Sequence, residues 1–572
     1  MPRRELPVET VAEGYLSLLA ERGVEYLFAN AGTDFAPIVE AYARAGQSGL
    51  ALPKPLIATH ENVAASMAHG YAVASGKVPA VMFHVSVGTA NAVCAAWNAA
   101  RDNVPILFTA GRTPLTEEGM AGSRDTYIHW AQEMFDQGGI MREAVKWDYE
   151  LRNGVQVETV VDRALSLATS SPPGPIYLTL PREVLAEPLK GLSYYSPGRR
   201  VAASPPGPDF DAIDAAGALL ADAENPLIIT ASAGRDHEAV KAIADFALRF
   251  AVPVVEHRHR HLNIPADHPC HLGYEPNELI DTADAIIVVE SDVPWVPSRK
   301  NPGPDCKIIH VGIDPLFSRY PIRGFPADVA ITAAPKVALA RLSAAWASRV
   351  SATTIETRRR RVAERREAQQ AGWARAREAA AKQQPLSPVH VSACLAAARD
   401  PDGVIVNEYT LLPQHCPSTR PGSFFGSSPA AGLGWGAGAA LGVKLAQPDR
   451  QVIAVLGDGS YIFSNPVAVH HAAAMHKLPV LFIVVNNAMW GAVRRATLGM
   501  YPQGDAAKSN KPPFIDLDEL PAFDKVCEAA GGYGERVEDP AELPAALGRA
   551  LKAVDGGQQA LLNVICQGGG GG

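Results

Sequence analysis

Cysteine is sparse in this chain and nowhere arranged for metal or redox work. The seven cysteines, at 94, 270, 306, 394, 416, 527 and 566, are scattered over 572 residues with no Cys-x-x-Cys. An odd, dispersed set of thiols argues against a disulfide framework and suits a reducing compartment, so a cytoplasmic location is expected. No run of about 18 apolar residues occurs, and no membrane span is expected. The opening Met1 to Leu6 lacks the apolar core of a signal peptide. A net charge of −8 offers no case for nucleic acid. The densest basic cluster, Arg358 to Arg361 with Arg365 and Arg366, is interleaved with Glu356, Glu364 and Glu367, the pattern of a solvated helix.

Several catalytic signatures are also missing. His60-Glu61 has alanine at 64, so it is no zinc-protease helix. His84-Val-Ser86-Val-Gly88 lacks the first glycine of a hydrolase nucleophile elbow. No phosphate loop ending in Gly-Lys-Ser/Thr is present. The series Gly432, Gly434, Gly436, Gly438 precedes a strand instead of following one, and no acidic residue closes a following strand at the right place. That weakens a dinucleotide-dependent oxidoreductase.

What is present is repeated alternation. Short apolar runs (Glu25 to Ala29, Pro55 to Ala58, Ala80 to His84, Ile106 to Ala110, Ile176 to Leu180) alternate with longer helical segments. A second block holds Pro226 to Thr230, Ala285 to Val289 and Lys307 to Val311. A third holds Val404 to Val406, Val452 to Leu456 and Leu481 to Val485. Such alternation predicts α/β architecture, with doubly wound parallel sheets covered by helices on both faces. The length suits about three to four domains, and a hydrophobic content of 47% is ample for their cores. The Pro-, Ser- and Gly-rich stretch from Arg182 to Pro208, the charged helical stretch after 350, and Pro385 with Pro388 set the divisions. The expected domains are 1–190, 205–350 and 386–572, with a helical linker over 351–385. The terminal glycines 568–572 have no side chains to pack and are expected to be disordered.

Chemistry gathers at strand ends. Gln451-Val-Ile-Ala-Val-Leu456 closes on Gly457-Asp458-Gly459-Ser460, where glycine lets the backbone approach a phosphate and Asp458 offers a hard oxygen to Mg²⁺. Pro479-Val-Leu-Phe-Ile-Val-Val485 closes on Asn486-Asn487. Ligands collect at the carboxyl ends of strands in open parallel sheets, so Asp458 and Asn487 can meet at one edge, with the Met489 carbonyl a third metal ligand. Two turns after buried strands, with Asp and Asn as turn formers, are the plainer alternative. Upstream, Glu61 follows Thr59-His60; it could equally be an acid favoured by a helix N-terminus.

Gly-Asp-Gly followed at this separation by Asn-Asn resembles the thiamine diphosphate motif, and with Glu61 the chain resembles the thiamine diphosphate-dependent 2-oxo acid decarboxylase and acetolactate synthase family over nearly its whole length. The segments Pro421 to Phe425, Ala431 to Trp435 and Gln451 to Ser460 are similar to benzoylformate decarboxylase. The resemblance implies pyrimidine, central and diphosphate domains. It implies that Glu61 tunes the cofactor's aminopyrimidine, that Leu433 supports its bent shape, that the Ala431 carbonyl accepts from its amino group, and that Thr410, Gly457, Gly459 and Ser460 contact the diphosphate. The family usually has glycine at the position of Ala431. Leu433 could also be plain core, Thr410 a strand end and Ser460 a helix cap.

His84 matches a proton-transferring histidine of benzoylformate decarboxylase that acetolactate synthases lack, and its titration range suits that task. Thr33 matches the serine that holds the substrate carboxylate there. The decarboxylase's second catalytic histidine is Pro297 in this chain. Gln132-Glu133 resembles the active-site pair of acetolactate synthase. Trp490, Val493 and Ala496 would line the substrate wall, and Arg494 or Arg495 could meet an acidic substrate. The expected function is therefore a non-oxidative 2-oxo acid decarboxylase with carboligase side activity; the alternatives are an acetolactate synthase-like carboligase or an inactive thiamine diphosphate-binding protein. A small 2-oxo acid and an acceptor aldehyde are the implied partners. The resemblance also implies a homodimer or homotetramer with Glu61 and Asp458 supplied by different chains. FAD is left open, since no motif requires it.

Overall fold

Continuous apolar runs of five or six residues bury both faces of a strand, which is the pattern of a parallel sheet covered by helices on each side. The computed structural model, which describes residues 3–199, 201–509 and 511–568, contains three such sheets. Residues 569–572 of the expected disordered tail lie outside the described residues.

A short antiparallel ribbon joins β1 (Arg3–Leu6) to β8 (Leu192–Tyr195), so the segment just beyond 190 is tied to the first block. The first sheet uses β2 (Tyr26–Ala29), β3 (Lys54–Ile57), β4 (Ala80–Phe83), β5 (Leu107–Arg112), β6 (Asp148–Glu150) and β7 (Ile176–Pro181), in the order β3-β2-β4-β5-β7-β6. The central sheet uses β9 (Pro226–Thr230), β10 (Val254–Glu256), β11 (Ala285–Val289), β12 (Lys307–Gly312) and β13 (Val329–Thr332), in the order β10-β9-β11-β12-β13. The last uses β14 (Val404–Glu408), β15 (Phe424–Gly426), β16 (Val452–Gly457), β17 (Leu481–Asn486), β18 (Tyr533–Val537) and β19 (Ala560–Ile565), in the order β15-β14-β16-β17-β19-β18. All pairs within these three sheets are parallel, as the apolar runs predict.

The first and last sheets share one plan: counting within each domain, both run 2-1-3-4-6-5. In each, the helix after the second strand is the one that matters here, Glu61–Ser75 in the first domain and Trp435–Ala446 in the last. These helices cross at backbone contact distance because glycine sits at the crossing. A Cβ on Gly70 would lie 1.9 Å from the Ala439 carbonyl oxygen, and one on Gly442 would lie 1.9 Å from the Met67 carbonyl oxygen. Gly438 meets Ser66 in the same seam. The glycine series at 432–438 thus serves helix packing and a turn.

The Ala352–Ala380 helix is polar on all sides, yet it is not merely solvated. Arg358 is buried and donates to the carbonyls of Ala223 and Phe250. Arg366 donates to those of His268 and His271, so the basic cluster straps this helix to the central domain.

Candidate active site

Two groups of side chains stand at the carboxyl edges of the outer sheets. In the first domain, the turn after β2 brings Asn30, Thr33 and Asp34, the helix after β3 begins at Glu61, and His84 directly follows β4. Glu61 is 6% exposed, and both its carboxylate oxygens are held: Asn30 Nδ2 donates to Oε1 at 3.0 Å and Asn91 Nδ2 to Oε2 at 3.1 Å. Neither amide has a local sequence signal, since each contact spans about thirty residues of chain. His84 Nδ1 lies 2.5 Å from Asp34 Oδ1, and its Nε2 lies 3.3 Å from Gln132 Nε2. The Asp34 carboxylate raises the His84 pKa above its ordinary value of 6.5 by hydrogen bonding, against the opposing effect of burial. Asp34, next to the expected Thr33, carries no signal of its own in the sequence. Thr33 is exposed at the start of a single 3-10 turn.

In the last domain, Thr410, Gly457 to Ser460 and Asn487 follow three adjacent strands, β14, β16 and β17. Asp458 is buried. Its Oδ1 accepts from the Gly459 N–H at 2.7 Å and its Oδ2 from the Asn487 N–H at 3.1 Å. Asn487 Oδ1 in turn accepts from the Met489 N–H at 3.1 Å. The three expected metal ligands are therefore within one hydrogen-bonded unit. Burial raises the Asp458 pKa, so the carboxylate gains from a nearby cation. Thr410 Oγ1 is buried without a partner, beside the open backbone of Gly457. An orphaned hydroxyl at a glycine turn, next to a buried carboxylate and an amide oxygen, fits a diphosphate with a divalent cation. Among the described residues no cluster of three or more His, Cys, Asp or Glu could hold a metal. A cation here would rest on one carboxylate, an amide, a carbonyl and phosphate oxygens, the set magnesium prefers.

Trp490 packs against Gly459, where a Cβ would come within 2.2 Å of the ring, and meets Phe463 edge-on. Val493 stands 44% exposed on the Gly491–Met500 helix, which buries none of its residues. The Ser460 hydroxyl lies against Glu408, a buried carboxylate missed by sequence reasoning. Glu408 accepts from the N–H groups of Gly434 at 2.8 Å and Gly436 at 2.6 Å, which fixes the loop that carries Ala431 and Leu433. Ala431 adopts φ +57°, a left-handed conformation that favours glycine, and Leu433 is half-buried beside it.

The two groups meet. Asn62, next to Glu61, donates to the Gly434 carbonyl at 3.3 Å, and Asn98 donates to that of Gly432 at 2.9 Å. Within the chain, the Glu61 helix therefore packs on the loop that carries Ala431 and Leu433. The central domain's Pro297 is exposed and carries no proton-transfer group to the site.

The chain matches the thiamine pyrophosphate enzyme N-terminal TPP binding domain over residues 9–140, the central domain over 213–342 and the C-terminal TPP binding domain over 407–564. It is 27% identical to benzoylformate decarboxylase from Pseudomonas aeruginosa, covering 96% of this chain and 97% of that one. It is 24% identical to the acetolactate synthase large subunit from Buchnera aphidicola, over 97% and 94% of the two chains. In fold it is similar to a thiamine diphosphate-dependent 4-hydroxybenzoylformate decarboxylase from Rhodococcus jostii, with TM-score 0.74 and 22% identity over 98% and 99% of the chains.

Proposed function

The chain belongs to the thiamine pyrophosphate enzyme family, and on that premise we propose that it is a magnesium-dependent, non-oxidative 2-oxo acid decarboxylase with carboligase side activity. The placement of His84 carries this reading. Its ring sits at the same sheet edge as Glu61, with one nitrogen held by Asp34 and the other toward Gln132.

Thiamine diphosphate, when bound, supplies the carbon nucleophile and electron sink that let CO₂ leave a 2-oxo acid. The protein's part is positional and protonic. Thr410, the Gly457–Gly459 turn, Asp458, Asn487 and the Met489 carbonyl would hold the diphosphate and Mg²⁺. Leu433 and the Ala431 carbonyl would support the rings, and Glu61, fixed by Asn30 and Asn91, would hold a proton at the pyrimidine. His84 would exchange a proton at the substrate carbon, with Thr33 as the hydroxyl offered to the substrate carboxylate. Trp490, packed on Gly459, would cover the diphosphate end.

Gln132 at the His84 ring supports a second reading, an acetolactate synthase-like carboligase. A panel of 2-oxo acids, with and without an acceptor aldehyde, separates the two through the ratio of CO₂ plus aldehyde to ligated product. Cofactor binding with no turnover of any acid would reject both readings in favour of an inactive binder. A visible absorption spectrum of the purified protein decides whether flavin is carried.

We also propose a homodimer or homotetramer that covers the site. Exposed Tyr127, Trp130 and Phe135 flank Gln132, and exposed Met500, Tyr501 and Phe514 follow Asn487, so apolar surface lies beside both halves. An active monomer in light scattering would reject the assembly.

A further inference from the structure

We propose that Asp34 is the positioning residue for His84, holding the imidazole by Nδ1 so that Nε2 faces the cleft as the proton-transfer atom. The chemistry assigned to Nε2 rests on the function proposed above; the pair itself is a property of the fold.

Asp34 is 2% exposed and both its oxygens are engaged, Oδ1 with His84 Nδ1 at 2.5 Å and Oδ2 with the Val85 N–H at 3.3 Å. It thereby grips the histidine and the first residue of the following helix together. His84 precedes that helix, but its side chain does not cap it, so the ring is turned to Asp34 instead. Two glycines from separate elements make room for the pair. A Cβ on Gly32 would lie 2.1 Å from His84 Nδ1, and a Cβ on Gly111 would lie 1.8 Å from Asp34 Oδ2. No side chain larger than hydrogen fits at either position while the pair stays in place.

A carboxylate accepting from Nδ1–H fixes one tautomer of the neutral ring, with the lone pair on Nε2, and stabilises the charged ring when Nε2 takes a proton. The charged and titratable groups facing His84 are Asp34, Glu61 and His129; both carboxylates favour its protonated form. Gln132 completes the device. Its Nε2 donates toward the neutral ring at 3.3 Å, and its Oε1 is buried without a partner. Half a turn of the amide presents Oε1 to a protonated Nε2–H, so one side chain serves both charge states.

The proton count closes. A 2-oxo acid anion plus one proton gives an aldehyde plus CO₂. The Nε2–H bond of His84 breaks as a C–H bond forms on the carbon that CO₂ has left. The ring is left neutral, with Nδ1–H still on Asp34, and solvent returns the proton before the next turnover.

The test is Asp34→Asn, nearly equal in size, in the full-length protein. Diethyl pyrocarbonate modifies uncharged imidazole, so the rate at His84, followed by peptide mass spectrometry across pH, reads that histidine's titration without any turnover. The midpoint is expected above 6.5 in the wild type and lower by about one pH unit or more in the variant. The kcat/KM limb assigned to His84 should shift by the same amount, lowering kcat/KM about tenfold above neutral pH. A merely structural role for Asp34 would lower Tm and leave the midpoint in place. An unmoved midpoint overturns the proposal, as does a wild-type midpoint at or below 6.5, which needs no variant. A wild type that turns over no 2-oxo acid rejects the functional reading and leaves the titration result standing.

Discussion

The side-chain amide of Asn62 donates to the backbone carbonyl of Gly434 at 3.3 Å, one residue beyond the carboxylate that Asn30 and Asn91 hold inside the first domain. Glu61 and Asn62 thus divide the work: one faces its own domain's cleft, and the other fastens that cleft to the loop of the last domain.

The seam behind this contact is close-packed through glycine. Gly442→Ala would place a methyl group 1.9 Å from the Met67 carbonyl oxygen, which belongs to backbone and cannot swing away. The helices must part, at a cost of about 1–3 kcal/mol. A fall in thermal midpoint together with weaker thiamine diphosphate binding is expected. An unchanged midpoint would contradict the packing.

Glu61→Gln keeps the size of the side chain and removes its charge. Deuterium exchange at C2 of bound thiamine diphosphate should slow by about 100-fold or more, the lower range for loss of a positioned acid–base group. Binding of the cofactor should change little. Exchange at the wild-type rate would remove Glu61 from its assigned role.

Asp458→Ala removes the carboxylate assigned to the metal at the diphosphate end. Calorimetric titration with thiamine diphosphate should show at least a tenfold weaker Kd in the presence of Mg²⁺, about 1.4 kcal/mol. In the absence of Mg²⁺ the two proteins should differ much less. Equal affinities with Mg²⁺ present would refute the metal assignment.

Burial pushes the Glu408 carboxyl from its ordinary 4.5 up to about 7, against the N–H groups of Gly436 and Gly434 that oppose the shift. The folded protein therefore binds this proton more tightly than the unfolded chain. The stability it contributes is full below about pH 4.5 and is lost as pH rises through about 7, a change on the order of 3 kcal/mol. Urea unfolding at pH 4.5 and pH 8 should give a larger loss for the wild type than for Glu408→Gln. The same loss in both would exclude Glu408 as the source.

Much of this was readable along the chain because the strands are unbroken apolar runs and the polar residues that follow them sit at sheet ends. Strand ends allowed Asp458 and Asn487 to meet at one edge, and the resemblance to the thiamine diphosphate motif chose that pairing over two plain turns. Asn30, Asn91 and Asp34 could not be paired in advance, since each acts on a partner that only the folded sheet edge brings near. Glu408 reads as the end of a strand, and its purpose appears only when the N–H groups of Gly434 and Gly436 close on it. Arg358, Arg361 and Arg366 looked solvated because their partners are carbonyls, which leave no trace in side-chain pattern.

The 2-1-3-4-6-5 order occurs at both ends of the chain, so the Glu61 helix and the Trp435 helix occupy equivalent stations in two domains built to one blueprint. Their crossing is a motif pressed against its own likeness. Such a joint can accept a bulkier residue on one side only if the other side recedes, so drift in either half is tied to drift in its twin.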